Sequence, residues 1–413
     1  MDIKKKVKEE VDLILEFILN WDEISNEEDV KNIALLSGLP SITILLLDYY
    51  TKFPSINLKL KIKEYVIKSI DIIEVQDKIF PSYCAGLAGY GFFLLKLKQT
   101  DILSEDIEIL NQIDEISNQI DEILEEQIDI DFLDDNFDIL HGVLGVGLYF
   151  LERDKLSFVD KIVDKLVETS FSKEDQIYWK KYDKFKAVDS IIDMGNAHGN
   201  SSIIYFLSKI LSKNPKNEQV KELIKKSINF YLNNCQELND EIYSYFPHQI
   251  ITKEFDEGIN KPGNSRFAWC YGDLGVLNTL LMSSKLIEDD KMYLNILDKL
   301  KNIANRKYET EVFTIDAGFC HGSSGIAIIF NKIHKLTGIK TFSKESEYWV
   351  NITLGEKNKS NNSIKNLGYS FPINDNKNHS LTLLEGLAGL LFCYLNFLYD
   401  DMPFTEETLL IKF

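Results

Sequence analysis

Seven times along the chain a glycine opens a run of almost unbroken apolar residues. The stretches read SGLPSITILLL at Gly38, AGLAGYGFFLL at Gly86, HGVLGVGLYFL at Gly142, HGNSSIIYFL at Gly199, YGDLGVLNTLL at Gly272, HGSSGIAIIF at Gly322 and EGLAGLLFCYL at Gly386. A second glycine follows three residues later in five of them, at 89, 145, 275, 325 and 389; Ser41 and Ser202 take its place in the other two. No other feature constrains the fold as tightly, because each unit of such a repeat must bury its apolar face against its neighbours. Successive first glycines are 48, 56, 57, 73, 50 and 64 residues apart, room for two helices and two loops per unit.

The segments between the glycine-led runs have a different pattern. In DIEILNQIDEISNQIDEILEE, Ile107, Leu110, Ile113, Ile116, Ile120, Ile123 and Leu124 recur at steps of three and four under an acidic outer face. A helix apolar on every side must be buried, whereas one with a single stripe covers something. Alternation of the two kinds predicts an all-α chain folded as an α,α-toroid of seven helical-hairpin repeats. Seven inner helices would stand inside a ring of seven outer ones. Only 8 prolines interrupt the pattern. Polar stretches at 171–194, 236–268 and 354–380 break the period and read as insertions within a single domain, 1–413. One of them, EIYSYFPHQIITKEF, has the alternation of a short hairpin.

Composition bounds the function. The net charge of −19 lacks the basic footprint that a nucleic-acid binder needs. Five cysteines, an odd number and widely spaced, do not form a disulfide framework. The opening MDIKKKVKEEVDLILEFILNW is broken by Glu9, Glu10, Asp12 and Glu16 and does not read as a signal peptide. No run reaches 18 apolar residues. Free thiols fit a reducing, cytoplasmic setting.

The residues able to do chemistry share a register. Cys270 and Cys320 each lie two places before a repeat glycine, His321 and His198 one place before, and Asp138 four before. If the ring closes, all of them converge on one mouth. Two thiols and an imidazole are three soft ligands, and three protein ligands with an open fourth position is the pattern of catalytic zinc. A lone cysteine flanked by apolar residues is more often packing, and Cys84, Cys235 and Cys393 read that way. His141, next to Gly142, is ambiguous. His248, His334 and His379 are assigned to loops or an outer helix, in solvent.

The motifs SRFAWCYGDLG (265–275), CHGSSG (320–325), GNAHG (195–199), DILHGVLG (138–145), EGLAG (385–389) and LSGLP (36–40) resemble the lanthionine synthetase C-like family, in particular its stand-alone lantibiotic cyclases. The resemblance spans nearly the whole chain. It implies one zinc ion held by Cys270, Cys320 and His321, and formation of lanthionine and methyllanthionine thioether rings in a dehydrated lantibiotic precursor peptide. By the same resemblance His198 is the acid that protonates an enolate, Asp138 orients or charges it, and Arg266 and Tyr271 stabilise the enolate oxygen or fix Asp138. The family's practice implies a separate dehydratase and an ABC exporter in a membrane-associated complex, with this chain held at the inner membrane face through those partners. Two departures, Ser202 for the usual glycine and His141 where an acidic residue is common, bear on the shape of the substrate groove. Two rivals remain. A zinc prenyltransferase-like enzyme would need clustered Lys and Arg near these motifs, which are missing. A non-catalytic adaptor that binds zinc and a thiol such as glutathione would keep the ligands without needing His198, Asp138 or Arg266.

Overall fold

A computed structural model of the chain describes residues 2–20, 32–76, 79–133, 135–181, 190–259, 261–307, 316–357, 367–371, 381–399 and 401–413. Among these are sixteen helices and four short strands. In chain order they are α1 (Ile3–Leu19), α2 (Leu39–Lys52), α3 (Ile56–Val75), α4 (Leu87–Lys98), α5 (Ile107–Leu133), α6 (Val143–Glu152), α7 (Leu156–Thr169), β1 (Phe171–Lys173), β2 (Gln176–Tyr178), β3 (Ile191–Asp193), α8 (Asn200–Lys213), α9 (Glu218–Asn233), β4 (Gln249–Ile251), α10 (Thr252–Asp256), α11 (Asp273–Leu286), α12 (Asp290–Ile303), α13 (Ser323–Thr337), α14 (Lys340–Gly355), α15 (Leu387–Tyr399) and α16 (Pro403–Thr408). The chain forms two compact units, Met1–Gln127 with Ile315–Lys412, and Ile128–Thr314 with Phe413.

Each of the seven repeat glycines immediately precedes a helix: α2, α4, α6, α8, α11, α13 and α15. In the first unit α4, α2, α15 and α13 pack side by side in that order; in the second, α6, α8 and α11 do the same. These are the buried helices, and every residue of α6 from Val143 to Leu151 is covered. The following helices lie against them as α2/α3, α6/α7, α8/α9, α11/α12 and α13/α14, and α7 buries only the stripe Val159, Ile162, Val163, Leu166. The seventh hairpin is not sequential. The helix that lies on α15 is α1, from the other end of the chain. Glu10 of α1 is held by Lys357 Nζ at 2.6 Å and by Tyr369 Oη at 2.9 Å.

Six of the glycine-led helices, α2, α4, α6, α8, α11 and α13, lack side-chain caps. Their first N–H groups, which have no partner within a helix, are met by a backbone arch instead. Leu39 N donates to Asn32 O at 3.1 Å, Leu87 N to Phe80 O at 2.8 Å, Val143 N to Asn136 O at 2.9 Å and Ser323 N to Asp316 O at 3.0 Å, each seven residues back. The arch closes so tightly that a Cβ on Gly86 would lie 1.8 Å from Phe80 O. Gly272 is further restricted: its φ is +104°, and a Cβ there would lie 1.5 Å from Arg266 O.

The insertions carry the strands. β1 and β2 form an antiparallel hairpin, Phe171 opposite Tyr178. The hairpin expected within 241–255 does not form; β4 pairs instead with β3, Ile192 opposite Ile250, some sixty residues away in sequence. That insertion is fastened to α11 through Asp273. Its buried carboxylate accepts Tyr245 N at 2.8 Å and Phe246 N at 3.0 Å and pairs with Arg306 at 2.7 Å. His334 lies in the last turn of the glycine-led helix α13, not in an outer helix or loop, and its Nδ1 is 3.0 Å from Ile339 O. His379 and most of 354–380 lie outside the described residues.

Candidate metal centre

Hydrogen bonds link arch to arch within each unit. Cys270 O accepts Asn196 N at 2.8 Å and Ala197 N at 3.0 Å. In the other unit Leu384 O accepts Phe319 N and Cys320 N, both at 2.9 Å. The carbonyl two places before one glycine thus takes the N–H groups two and three places before another. Cys270 and Cys320 hold the same place in their arches, which is why a register counted from the glycines finds both. Among the described residues, one ligand atom each from Cys270, Cys320 and His321 lie within 4.8 Å of one another, a group that can hold a metal ion. Cys270 is buried, and Cys320 and His321 are half-buried. All five cysteines are free thiols. Cys393 is buried in α15, as a packing residue should be.

The donor set fits zinc. Tetrahedral bonds of about 2.3 Å to sulfur and about 2.0 Å to nitrogen place such ligand atoms about 3.5–3.8 Å apart, inside the observed spread. Asp316 adds to the fit. Its Oδ1 accepts Gly318 N at 2.6 Å, while Oδ2 is buried without a hydrogen-bond partner, 3.8 Å from His321 Nε2. A carboxylate behind a ligating histidine fixes the ring and its tautomer.

The second unit collects the remaining candidates. His198 Nδ1 donates to Asp138 Oδ2 at 2.8 Å. The other Asp138 oxygen accepts Leu140 N and His141 N, each at 2.9 Å. Lys181 Nζ stands 3.4 Å from Oδ2. Burial disfavours the Asp138 carboxylate, but the His198 hydrogen bond and charge, with Lys181, outweigh it and hold its pKa below the ordinary value. For His198 burial acts to lower the pKa, yet the Asp138 hydrogen bond and charge raise it above normal. The His141 ring stacks on His198 with centroids 5.6 Å apart, and burial lowers its pKa.

Tyr271 is hydrogen-bonded to Asp193, and the Asp138 charge also acts on it. Its hydroxyl donates to Asp193 Oδ2 at 3.1 Å. Its ring lies so close to Gly195 that a Cβ there would be 2.4 Å from Cε1. The ring stands 6.0 Å from His198 and 5.0 Å from His248, centroid to centroid. Burial and the Asp193 charge push the Tyr271 pKa up. Arg266 is exposed, and its charge acts on His248, whose pKa burial already lowers. The cation beside Asp138 is therefore Lys181. His248, placed in solvent by the sequence reading, is half-buried against Tyr271. Asp193, Asp316, Lys181 and His248 were missed. Asp193 and Asp316 lie six places before Gly199 and Gly322, so the register that found the cysteines would have found them too. Lys181 lies in an insertion with no period to mark it.

The model of the family described as lanthionine synthetase C-like protein matches residues 8–408. The chain belongs to the lanthionine synthetase C-like family. Among solved structures, nisin cyclase is similar at a TM-score of 0.75 and 20% sequence identity, over 98% of this chain and 98% of that one. A likeness at that identity carries the fold, and the fold is the all-α, α,α-toroid expected from the glycine repeat. An inactive variant of an alpha-1,6-mannanase from Salegentibacter sp., in complex with alpha-1,6-mannotetrose, is a remote match. Its TM-score is 0.37 at 12% identity, over 74% of this chain and 87% of that one. No curated protein matches the sequence. No described helix of this family member is long and apolar enough to cross a membrane.

Proposed function

We propose that the chain is a lanthionine cyclase that closes thioether rings in a dehydrated lantibiotic precursor peptide, with one zinc ion held by Cys270, Cys320 and His321. The observation that carries this reading is the convergence of those three ligand atoms within 4.8 Å in a member of the lanthionine synthetase C-like family. When bound, zinc lowers the pKa of a substrate cysteine thiol, ordinarily about 8.5, so that the thiolate is available at neutral pH.

The chain's own residues handle the proton. The substrate sulfur bonds to the β-carbon of dehydroalanine or dehydrobutyrine, the carbon–carbon π bond breaks, and an enolate is left that needs a proton at its α-carbon. His198 suits the role of acid: Asp138 holds its Nδ1 and favours the charged ring, which leaves Nε2 to deliver the proton. Tyr271, anchored by Asp193, packs beside His198 and limits where the peptide can lie. Arg266, exposed at the start of the same arch, supplies positive charge for the enolate oxygen. The proton on the sulfur ends on carbon, so product and substrate have the same mass. A separate dehydratase must make the dehydro residues, and an exporter would consume the cyclised product.

The test is incubation with a dehydrated precursor peptide. Free thiols should disappear without change of mass. Retention of all thiols by the zinc-loaded protein, or a mass increase from an external thiol, would overturn the reading in favour of a thiol-binding adaptor. His198→Asn should keep its zinc and slow ring closure by about 10²–10⁴-fold, or roughly 3–5 kcal/mol of barrier. Loss of zinc would instead make His198 a ligand.

A further inference from the structure

The apolar stripe of α5 is wider than burial requires. Ile113, Ile116, Ile120 and Leu124 are covered, but Ile107 and Ile123 stand 70% and 52% exposed. Ile123 borders a groove of about 680 Å³ between α3 and α5, lined also by Ile73, Phe80, Leu87, Ile116 and Ile120. Phe80 is 74% exposed on it. Gln112 Nε2 joins α5 to α3 through Glu74 Oε1 at 2.7 Å. An apolar concavity with a polar rim is a candidate binding site.

Among the described residues the rim is acidic. Asp71 and Glu74 are exposed on α3; Glu115, Glu122 and Glu126 are exposed on the face of α5 that carries Gln119 and Ile123. α5 holds nine acidic residues and no Lys or Arg. In 69–95 the one Lys or Arg is Lys78, which lies outside the described residues. A second copy of this chain would bring the same acids and a net charge of −19, and an anionic lipid surface would be repelled. The complementary occupant is cationic and partly apolar.

We propose that this groove docks a cationic amphipathic peptide segment. Its apolar side chains seat against Phe80 and Ile123, and its Lys or Arg residues face Glu74, Glu115, Glu122 and Glu126. The position suits a peptide that continues to the metal ligands of the same unit. Phe80 starts the arch whose Cys84 carbonyl accepts Leu36 N at 3.2 Å; Leu36 O accepts Leu383 N at 3.2 Å; Leu384 O accepts Cys320 N at 2.9 Å. The groove thus lies along the arch edge that carries Cys320 and His321. Docking itself needs no metal, so it stands or falls apart from the cyclase reading.

The experiment measures fluorescence anisotropy of a dye-labelled 14-residue (roughly four helical turns) Leu/Lys amphipathic peptide against the full chain, with a Leu/Glu peptide of the same pattern beside it. The Leu/Lys peptide should bind saturably, more weakly as salt rises, and the Leu/Glu peptide should not. Phe80→Ala with Ile123→Ala should weaken binding about tenfold, or about 1.4 kcal/mol. Glu122→Lys with Glu126→Lys should weaken it comparably. All four side chains are exposed, so the fold survives, which circular dichroism checks. Unchanged binding by both variants would mean the peptide sits elsewhere on the acidic surface and overturns the proposal. So would equal binding of the Leu/Glu peptide, or a wild-type dimer in sedimentation that Phe80→Ala with Ile123→Ala dissociates.

Discussion

Asp138→Asn tests the electrostatics of the site with the least structural disturbance. The amide oxygen of Asn can still accept Leu140 N and His141 N, so the turn before Gly142 keeps its shape. What disappears is the negative charge 2.8 Å from His198 Nδ1. A hydrogen bond to a charged group contributes about 1.5–3 kcal/mol and a neutral one about 0.5–1.5. The loss is therefore about 1–2 kcal/mol wherever His198 is charged in the wild type. Lys181, left 3.4 Å from an uncharged amide, now opposes the imidazolium without a counter-charge. Burial opposes it too, so the His198 pKa must fall. The sign for stability follows from both partners. Asp138 is depressed in the folded state, so its contribution is present above the unfolded carboxylate value of about 3.9 and is lost as pH falls through the folded value. His198 is raised, so its contribution is complete below about 6.5 and is lost as pH rises through the folded value. The wild-type advantage over Asp138→Asn should be largest between those limits and shrink on the alkaline side. Histidine ring NMR from about pH 5 to about pH 9 reads the pKa directly, with His198→Asn assigning the resonance. The cyclisation rate should lose its alkaline limb at lower pH while the acid plateau changes little. A His198 that titrates in Asp138→Asn at or above its wild-type value would refute the reasoning.

Cys270→Ala and Cys320→Ala should each purify with well under one zinc per chain; a full complement in both would remove the ligand assignment. Asp316→Asn, which removes the charge behind His321, should weaken zinc about 10–100-fold in competition with a chromophoric chelator, and an unchanged affinity would make Asp316 a turn-former only. Gly272→Ala should cost more than about 2 kcal/mol in denaturant unfolding, because positive φ and a 1.5 Å approach to Arg266 O coincide there. Gly258→Ala, with φ +73° but nothing within 4 Å of the added carbon, is the control and should cost about 1 kcal/mol.

Lys181 against Asp138 and Tyr271 on Asp193 show where sequence reasoning stopped. A family motif gave Arg266 and Tyr271 the role of stabilising the enolate oxygen or fixing Asp138, but a side chain's partner depends on which loops meet. Lys181 arrives with an insertion that carries no period, and Asp193 with a strand whose mate, β4, lies some sixty residues on. The closure of α15 by α1 joins the two ends of the chain and leaves no local mark. Ile123 sits correctly in its stripe, yet whether a stripe residue is covered depends on the neighbour that meets it, and here a groove does. The glycine register belongs to the other side of the divide. Each arch closes over six or seven residues, so the need for glycine, the helix start and the place of Cys270 and Cys320 two residues earlier are local steric facts. Local sterics repeat wherever the chain repeats, so they can be read in one dimension. Charge pairing between arches depends on distances through space, and only the folded chain sets those.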